Sequence, residues 1–583
     1  MNNQKITEII LKEIIQAAES AFGIKLEVDL PLETPPNPEW GDFAVPVFLL
    51  AKDLKESPVV IAQKLAKTIR ASDNISLAEA NGPYVNLRLT ANFFKEAVSE
   101  KKIVLEENKK EKVMVEYLSP NTNKPLHLGH MRNGFLGSSV SNILECVGNN
   151  VVKAMLVNDR GIHICKSMLA WQKFGNGETP ESSGLKGDHL VGKYYVRFAE
   201  EVKRSPELMD EAKEMLQKWE VGDKEVIALW RKMNEWVYAG FEETFQKAGF
   251  EFDVRIYESQ IYKQGKEIVE MGLKKGVFKK DEKGAIIFEL PEADFGLNED
   301  GSTRKVTVLR ADGTSVYMTQ DLALAVEKAE KYNLTKSVYV IGNEQDDYLR
   351  RLFAILKALG YQWADKCYHL SCAMVELTTG KMKSREGTVV DADDLIKEVE
   401  DLAKREIKKR IVGKRLTEQE INNRATKIGL AAIKFFLIKA SPKQRIIFDP
   451  QESISFDGVT GPYCQYVYAR ANSTLKKAND LMINKNQVDF SLLGERMEER
   501  VLAQKLLLFE ESLHEAAQEY NPSIVANAVY DLARTFNQWY NSCRIADKEN
   551  AELSNARLAL VKTTMGKIKM GLGLLGIEAL EEM

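Results

Sequence analysis

The chain has 583 residues, more than one hydrophobic core organises, so several domains are expected. Its composition, 44% hydrophobic and 28% charged with a formal net charge of -4, is that of an ordinary folded protein and argues against indiscriminate coating of a polyanion. No apolar run approaches the ~20 residues that span a bilayer, and the polar start lacks a signal-peptide core, so we expect a cytoplasmic protein without a membrane partner. The six cysteines form no CxxC motif, which argues against structural zinc and disulfides, and no metal site is predicted.

Residues 1–108 predict a small α+β domain. Isoleucines recur at helical spacing between Ile6 and Ile15, a proline-rich turn follows at 32–38, and residues 83–89 alternate as in a strand. The charged run that ends this part of the chain predicts a linker.

The next segment predicts a strand, a helix and a second strand. Residues 113–118 are apolar and rich in β-formers, residues 128–147 carry apolar side chains at helical spacing, and a further strand pattern covers 151–157. In such a βαβ unit the helix N-terminus offers free N–H groups and a positive dipole to phosphate.

Two histidines mark the start of this helix. His127 and His130 lie three residues apart and can reach the same bound group, while Gly129 leaves room for a ligand between them. The alternative is two surface histidines on an amphipathic helix. Because the chain has only six histidines, their proximity favours a nucleoside triphosphate site.

The rest of the chain changes from alternating strands and helices to helices. Residues 109–395 predict a Rossmann-type parallel-sheet domain with a helical insertion at about 175–255. Residues 396–455 predict a helical connector, and residues 456–583 predict an all-helical C-terminal domain. The fold class is therefore α/β with two additional domains.

A second phosphate candidate lies at residues 380–390, which read GKMKSREGTVV. Glycines bracket clustered cations there, and such a loop can bring ammonium groups onto a triphosphate as charge moves toward the leaving pyrophosphate. Alone, this pattern is more often a solvated loop. Its combination with the histidine motif is far more specific.

An HxGH helix start early in a parallel α/β domain, with a KMSKS-like loop at its end, resembles the class I aminoacyl-tRNA synthetases. Within that class the chain is similar to the arginyl-tRNA synthetases over essentially its whole length. The motifs that carry the resemblance are Trp40–Ala44, Gly82–Asn86, Val115–Asn121, Lys124–Arg132, Tyr317–Ala323 and Gly458–Tyr466. The resemblance implies an N-terminal tRNA-binding domain, a Rossmann-type catalytic domain and a helical anticodon-binding domain.

The resemblance also implies an arginine pocket. A guanidinium stays charged and prefers carboxylates in fork geometry. Tyr317 and Asp321 correspond to the residues that hold it in the family and would share one helical face. Glu258 resembles a second carboxylate, with a surface charge as the alternative. The residues that match the family's other amino-acid contacts are Glu116, Ser119, Asn121 and Gln345.

For ATP, the resemblance implies binding by His127, Gly129, His130, Lys381 and Met382, and catalytic roles for His127, His130, Lys124, Lys381 and Lys383. The loop does not place its second lysine where the KMSKS signature does, so several ammonium groups are candidates for phosphate neutralisation.

Two other positions depart from the family pattern. His163 stands where many relatives carry glutamine, and it is either near ATP or a plain surface histidine. Gln320 stands where a basic residue is common.

Tyr84 and Asn86 resemble residues that meet an exposed base of the tRNA elbow. Tyr463 and Trp539 are candidates for contact with anticodon bases. For each aromatic residue, a place in the core is the alternative.

The resulting function is ATP-dependent ligation of arginine to its tRNA through an arginyl-adenylate, with release of AMP and pyrophosphate, in protein synthesis. ATP is a substrate with Mg²⁺ on its phosphates, arginine and tRNA are the other partners, DNA is not one, and a monomer is expected. The rivals are a small-molecule adenylyl- or cytidylyltransferase and a catalytically silent tRNA-binding paralogue. The long helical C-terminus opposes the first, and the intact site motifs oppose the second.

Overall fold

The computed structural model describes residues 6–23, 25, 30–99, 110–261, 265–377, 390–410, 416–480 and 488–583. Among the helices of these residues, none has both the length and the apolar character needed to cross a membrane.

The N-terminal unit is a three-stranded antiparallel sheet covered by helices. Its elements are α1 (Ile6–Phe22), β1 (Phe43–Pro46), α2 (Ala51–Leu54), α3 (Pro58–Thr68), β2 (Ile75–Asn81), β3 (Tyr84–Leu89) and α4 (Asn92–Ala97). The strands are ordered β1-β3-β2. Gly82 has a φ of +57°, which the tight turn between β2 and β3 requires and glycine adopts without strain. The predicted α+β character of this unit is confirmed.

The central unit contains a five-stranded parallel sheet, as predicted. Its strands are β4 (Lys112–Tyr117), β5 (Asn150–Val157), β6 (Val254–Tyr257), β10 (Lys336–Gly342) and β11 (Cys367–Cys372). They are ordered β11-β10-β4-β5-β6. The chain runs outward from β4 through β5 to β6 and later returns on the other side of β4. Because the direction reverses at β4, a crevice opens at the carboxyl ends of β4 and β10, where open α/β sheets bind ligands.

Helices surround this sheet. The same part of the chain also forms a small antiparallel sheet that the sequence did not predict. The helices are α5 (Leu128–Cys146), α6 (Ile162–Phe174), α7 (Pro180–Ser183), α8 (Gly187–Glu201), α9 (Leu208–Glu220), α10 (Lys224–Ala248), α11 (Glu258–Ile261), α12 (Lys266–Lys274), α13 (Glu292–Phe295), α14 (Tyr317–Lys331) and α15 (Asp346–Ala358). The small sheet consists of β7 (Lys279–Lys280), β8 (Ile286–Glu289) and β9 (Lys305–Leu309).

The C-terminal part is helical, with one exception. Its helices are α16 (Ala392–Arg410), α17 (Glu418–Ile438), α18 (Pro450–Ser453), α19 (Gly461–Asp480), α20 (Met497–Glu519), α21 (Pro522–Ser542) and α22 (Ala551–Leu574). The predicted helical connector contains a short strand, β13 (Ile446–Phe448), which pairs in parallel with β12 (Val375–Leu377).

Helix α5 joins the units. It packs against β4 and β5 on one side and against α17, α20, α21 and α22 on the other. A Cβ at Gly137 would lie 2.3 Å from the Tyr117 ring, so the close approach of α5 to β4 requires glycine. The histidines at the start of α5 therefore belong to a tightly packed helix.

The N-terminal unit is fastened to α20 by a buried ion pair. The Asp42 carboxylate, 2% exposed, accepts hydrogen bonds from the Arg500 guanidinium at 2.8 and 2.6 Å. Because both groups are largely buried, loss of Arg500 would leave the Asp42 carboxylate beside the more distant Arg88 guanidinium, 3.7 Å away.

Candidate active site

A cavity of about 1150 Å³ occupies the crevice at the carboxyl ends of β4 and β10. A cavity of this size at a topological switch point is the expected place for a nucleotide together with a small substrate. The sequence-predicted residues that line it are Glu116, Ser119, Asn121, Lys124, His127, Gly129, His130, Glu258, Tyr317, Asp321 and Gln345.

His127 and His130 lie side by side at the start of α5. Their ring centroids are 3.7 Å apart. The backbone N–H of His127 donates to Nδ1 of His130 at 3.2 Å. Since that nitrogen accepts, the proton of a neutral His130 resides on Nε2, which leaves a ring N–H donor for a ligand.

Both imidazoles are neutral at physiological pH. Burial, reinforced by the nearby Lys124 ammonium and partly opposed by Asp391, lowers the pKa of His127 to about 4. Burial, together with His127 and Lys124, holds the pKa of His130 well below its ordinary value. The helix start therefore presents neutral donors and a helix dipole rather than fixed imidazolium charge.

The chain returns to this helix start immediately after the basic segment. Leu128 N–H donates to the Val390 carbonyl at 2.9 Å, and Ala392 N–H donates to the Leu126 carbonyl at 3.0 Å. Glu376 and Val390 line the cavity. The predicted ATP contacts Lys381 and Met382 and the predicted catalytic Lys383 lie outside the described residues.

The end of β4 bends sharply into the cavity wall. Leu118 has a φ of +58°, a conformation that costs energy for a residue with a branched side chain. The Ser119 hydroxyl that follows is buried and has no hydrogen-bond partner among the described residues. A buried polar atom without a partner beside a cavity points to a polar group of a ligand.

The acidic side of the cavity is formed by Asp321 on α14 and Glu258 at the start of α11. Tyr348 donates a hydrogen bond to the Asp321 carboxylate. Burial raises the pKa of Asp321 to about 6. Burial also raises the pKa of Glu258 to about 7, although Arg160, with its Nη1 4.0 Å from the Glu258 carboxylate, opposes the shift. Two carboxyl groups with raised pKa values in one cavity are suited to a cation that replaces water around them.

Tyr317 begins α14 one turn before Asp321, so the predicted shared helical face is observed. The Tyr317 side chain lines the cavity and is 76% exposed.

A buried ion pair lies beneath this face. Lys328 Nζ is 2.6 Å from the Glu116 carboxylate, and both side chains are at most 5% exposed. Lys328 follows Asp321 by two helical turns on the same face. Its place beside the cavity could therefore have been predicted from this spacing. Nothing local in the sequence indicates Tyr348 or Arg160, because they reach the acidic groups from other elements.

The two departures from the family pattern differ in location. Gln320 lines the cavity, whereas His163 is not among the lining residues. His163 Nδ1 lies 3.0 Å from the Tyr195 hydroxyl on α8.

Three of the four residues predicted to contact tRNA are largely buried. Trp539 is 0% exposed and packs against Phe536, which corrects the prediction that its ring meets a base. Asn86 is 4% exposed and Tyr463 is 8% exposed, so their tRNA contacts stay predictions. Tyr84 is half-buried against Phe48.

Three family models match the chain in order along its length. They are the arginyl tRNA synthetase N terminal domain at residues 4–89, the catalytic domain of tRNA synthetases class I (R) at 94–449, and the DALR anticodon binding domain at 464–583. The chain belongs to the arginyl-tRNA synthetase family of class I.

Individual relatives of this synthetase agree over the whole length. The arginine–tRNA ligase of Bacteroides fragilis is 41% identical, with 99% of this chain and 100% of the relative covered. That of Treponema denticola is also 41% identical, with 95% and 94% covered. The arginyl-tRNA synthetase structure from Thermus thermophilus superimposes with a TM-score of 0.83 at 27% identity, with 99% and 100% covered.

Proposed function

We propose that the chain ligates arginine to its tRNA in two steps within this cavity. Arginine and ATP first form arginyl-adenylate and release pyrophosphate. A hydroxyl at the 3′ end of tRNA then takes the arginyl group, and AMP leaves. The observation that carries the proposal is the presence of the α5 histidines and the Asp321 and Glu258 carboxyl groups in one cavity.

The first step needs no side-chain nucleophile. The arginine carboxylate attacks the α-phosphorus, so one oxygen–phosphorus bond forms while the bond to pyrophosphate breaks. His127 and His130 donate N–H groups to the departing phosphates at the α5 N-terminus. Lys124, Lys381 and Lys383 supply cationic groups, and Mg²⁺ enters on the ATP phosphates as part of the substrate. Gly129 and Met382 complete the ATP site.

The arginine substrate spans the crevice between β4 and α14. Ser119, Asn121 and Gln345 meet its α-amino and carboxylate groups. Its guanidinium lies against Tyr317, Asp321 and Glu258. The carboxyl groups of Asp321 and Glu258 become ionised beside it. Because Lys328 already neutralises Glu116, that residue contributes a hydrogen-bonding wall without net negative charge.

Arginine binding should therefore depend on pH. The raised pKa values of Asp321, about 6, and Glu258, about 7, mean that both groups bind protons in the empty site as the pH falls below neutrality. A bound guanidinium favours the ionised forms, so arginine affinity should rise with pH up to about neutrality and then level off. Calorimetry in two buffers with different ionisation heats should detect proton release near pH 6.5. Glu258→Gln should remove the part of the pH dependence that lies near pH 7. An arginine affinity of the wild type that stays constant between about pH 5.5 and 8 would contradict the placement of the guanidinium beside these two carboxyl groups.

Each domain has its own role in this reaction. Residues 1–108 contact the tRNA body, and residues 109–395 activate arginine. Residues 396–455 connect this catalytic domain to residues 456–583, which read the anticodon. The protein acts as a cytoplasmic monomer, with tRNA rather than DNA as its nucleic acid.

In the anticodon-reading part, Tyr540 is a better candidate for base stacking than Trp539. It is half-buried, and the Arg470 guanidinium lies 5.0 Å from its ring centre. Stacking of one base contributes ~1–3 kcal/mol, so Tyr540→Ala should weaken tRNA binding roughly tenfold at constant salt. Trp539→Phe, a change within the core, should alter tRNA affinity by less than about threefold once folding is verified. Filter binding that shows the reverse order would overturn the assignment.

The proposed function as a whole is tested by charging. Purified protein with ATP, labelled arginine and tRNA for arginine should form arginyl-tRNA, and omission of any one of the three should abolish the product.

A further inference from the structure

Arg132 is a buried cation without a carboxylate partner among the described residues. It lies on α5 two residues after His130 and is 1% exposed. Its guanidinium donates to four backbone carbonyl oxygens. These belong to Ala373 at 2.6 Å, Ser441 at 3.1 Å, Pro442 at 3.2 Å and Gln444 at 2.9 Å.

This environment selects arginine. Burial disfavours the charged form and lowers the pKa of Arg132, yet a guanidinium keeps its proton, so the carbonyl dipoles must balance the charge. A planar fork can serve several acceptors in fixed directions at once. The compact ammonium of lysine cannot reproduce that geometry.

The four carbonyls belong to two chain segments that are distant in sequence. Residues 373–375 lead into β12 and line the cavity. Residues 441–444 form the turn that leads from α17 to β13 and onward to the C-terminal helices. The segments also bind each other, since Ala373 N–H donates to the Pro442 carbonyl at 2.9 Å and Ile446 N–H donates to the Met374 carbonyl at 3.2 Å.

We propose that Arg132 is a positioning residue that fixes the cavity wall at residues 373–375 relative to the α5 histidines and links that wall to the C-terminal helices. Its side chain joins α5, the wall and the connector at one point. A displacement of the connector would therefore move the wall, because both donate backbone carbonyl groups as acceptors to the same guanidinium. The proposal rests on the proposed function for the statement that ATP lies against this wall.

The first test compares two substitutions in the full-length protein. Arg132→Lys keeps the charge but leaves carbonyl groups unpaired. Arg405→Lys is the matched control, because it makes the same change at an exposed arginine of α16 that is not among the residues lining the cavity. ATP affinity and arginine affinity are measured by calorimetry, and ATP–pyrophosphate exchange is expressed per active site from an adenylate burst.

For Arg132→Lys we expect KM and Kd for ATP to rise at least roughly tenfold, because two or more buried carbonyls lose their donor, while arginine affinity changes less than about twofold. Arg405→Lys should leave all of these within about twofold of wild type. If Arg132→Lys has wild-type ATP affinity per active site, the proposal is overturned, even where its unfolding temperature or active fraction falls.

A second test leaves Arg132 untouched and applies if its variants do not fold. In the wild-type protein, adding tRNA should change hydrogen exchange at the Ala373 and Ile446 amides, whose bonds hold the junction together. Unchanged exchange at both amides would overturn the link to the C-terminal helices. A wild-type protein that binds ATP but activates no amino acid would instead count against the proposed function. The ATP affinities of the wild type and of Arg132→Lys, measured by calorimetry, would then still decide the role of Arg132.

Discussion

Replacing His127 or His130 with alanine should lower the rate of adenylate formation by roughly 10²–10³. In the structure the two rings lie side by side at the α5 N-terminus and are neutral, so they can donate N–H groups as charge develops on the pyrophosphate. Arginine affinity should change little, because the acidic side of the cavity is separate from this helix start. Rapid-quench measurement of adenylate, together with calorimetric titration of arginine, separates the two effects.

His163→Ala provides the control for this prediction. His163 lies outside the cavity lining and contacts Tyr195, so its loss should change the rate by less than about threefold. Full turnover in both the His127 and His130 variants would disprove their role at the phosphates. A large loss in His163→Ala would place that residue beside ATP.

Asp321→Asn should reduce arginine affinity at least tenfold and leave ATP affinity unchanged. The substitution keeps the shape and the contact with Tyr348 but places a neutral amide opposite the guanidinium. Removal of one partner of a desolvated charge pair costs ~2–5 kcal/mol. Calorimetric titration with arginine and with ATP tests the two affinities separately.

Glu330→Gln is the matched control, because Glu330 is an exposed acid on the same helix. Arginine affinity of this variant should stay within about twofold of wild type. Equal losses of arginine and ATP affinity in Asp321→Asn would show that Asp321 stabilises the fold instead of holding the substrate.

The parts of the fold that were predictable have strong local patterns. The strand before residue 118 and the α5 helix follow from apolar spacing, and a βαβ unit leaves few arrangements for a parallel sheet. The histidines and Asp321 line one cavity and could be singled out from the sequence because each lies in a short motif at the end of an element. Such positions lie at the carboxyl edge of the sheet, where ligands bind.

The missed features depend on contacts between distant segments. Tyr348 and Arg160 reach the acidic groups from elements that the sequence does not join to them, and β13 is only three residues long between proline-containing turns. Trp539 was misjudged because an aromatic side chain on a helix can face the core or the solvent, and only packing decides. Arg132 stands inside a recognised motif, yet its carbonyl partners lie more than 240 residues away in sequence.

The most direct test of the proposed function is ATP–pyrophosphate exchange with arginine, lysine and glutamine, each with and without tRNA for arginine. Carboxylates placed for a planar guanidinium should support exchange with arginine and reject the ammonium and the neutral amide by at least roughly 10²-fold. We expect arginine-dependent exchange in the presence of tRNA. Comparable exchange with lysine or glutamine, or none with any amino acid when tRNA is present, would contradict the assignment of this cavity to arginine activation.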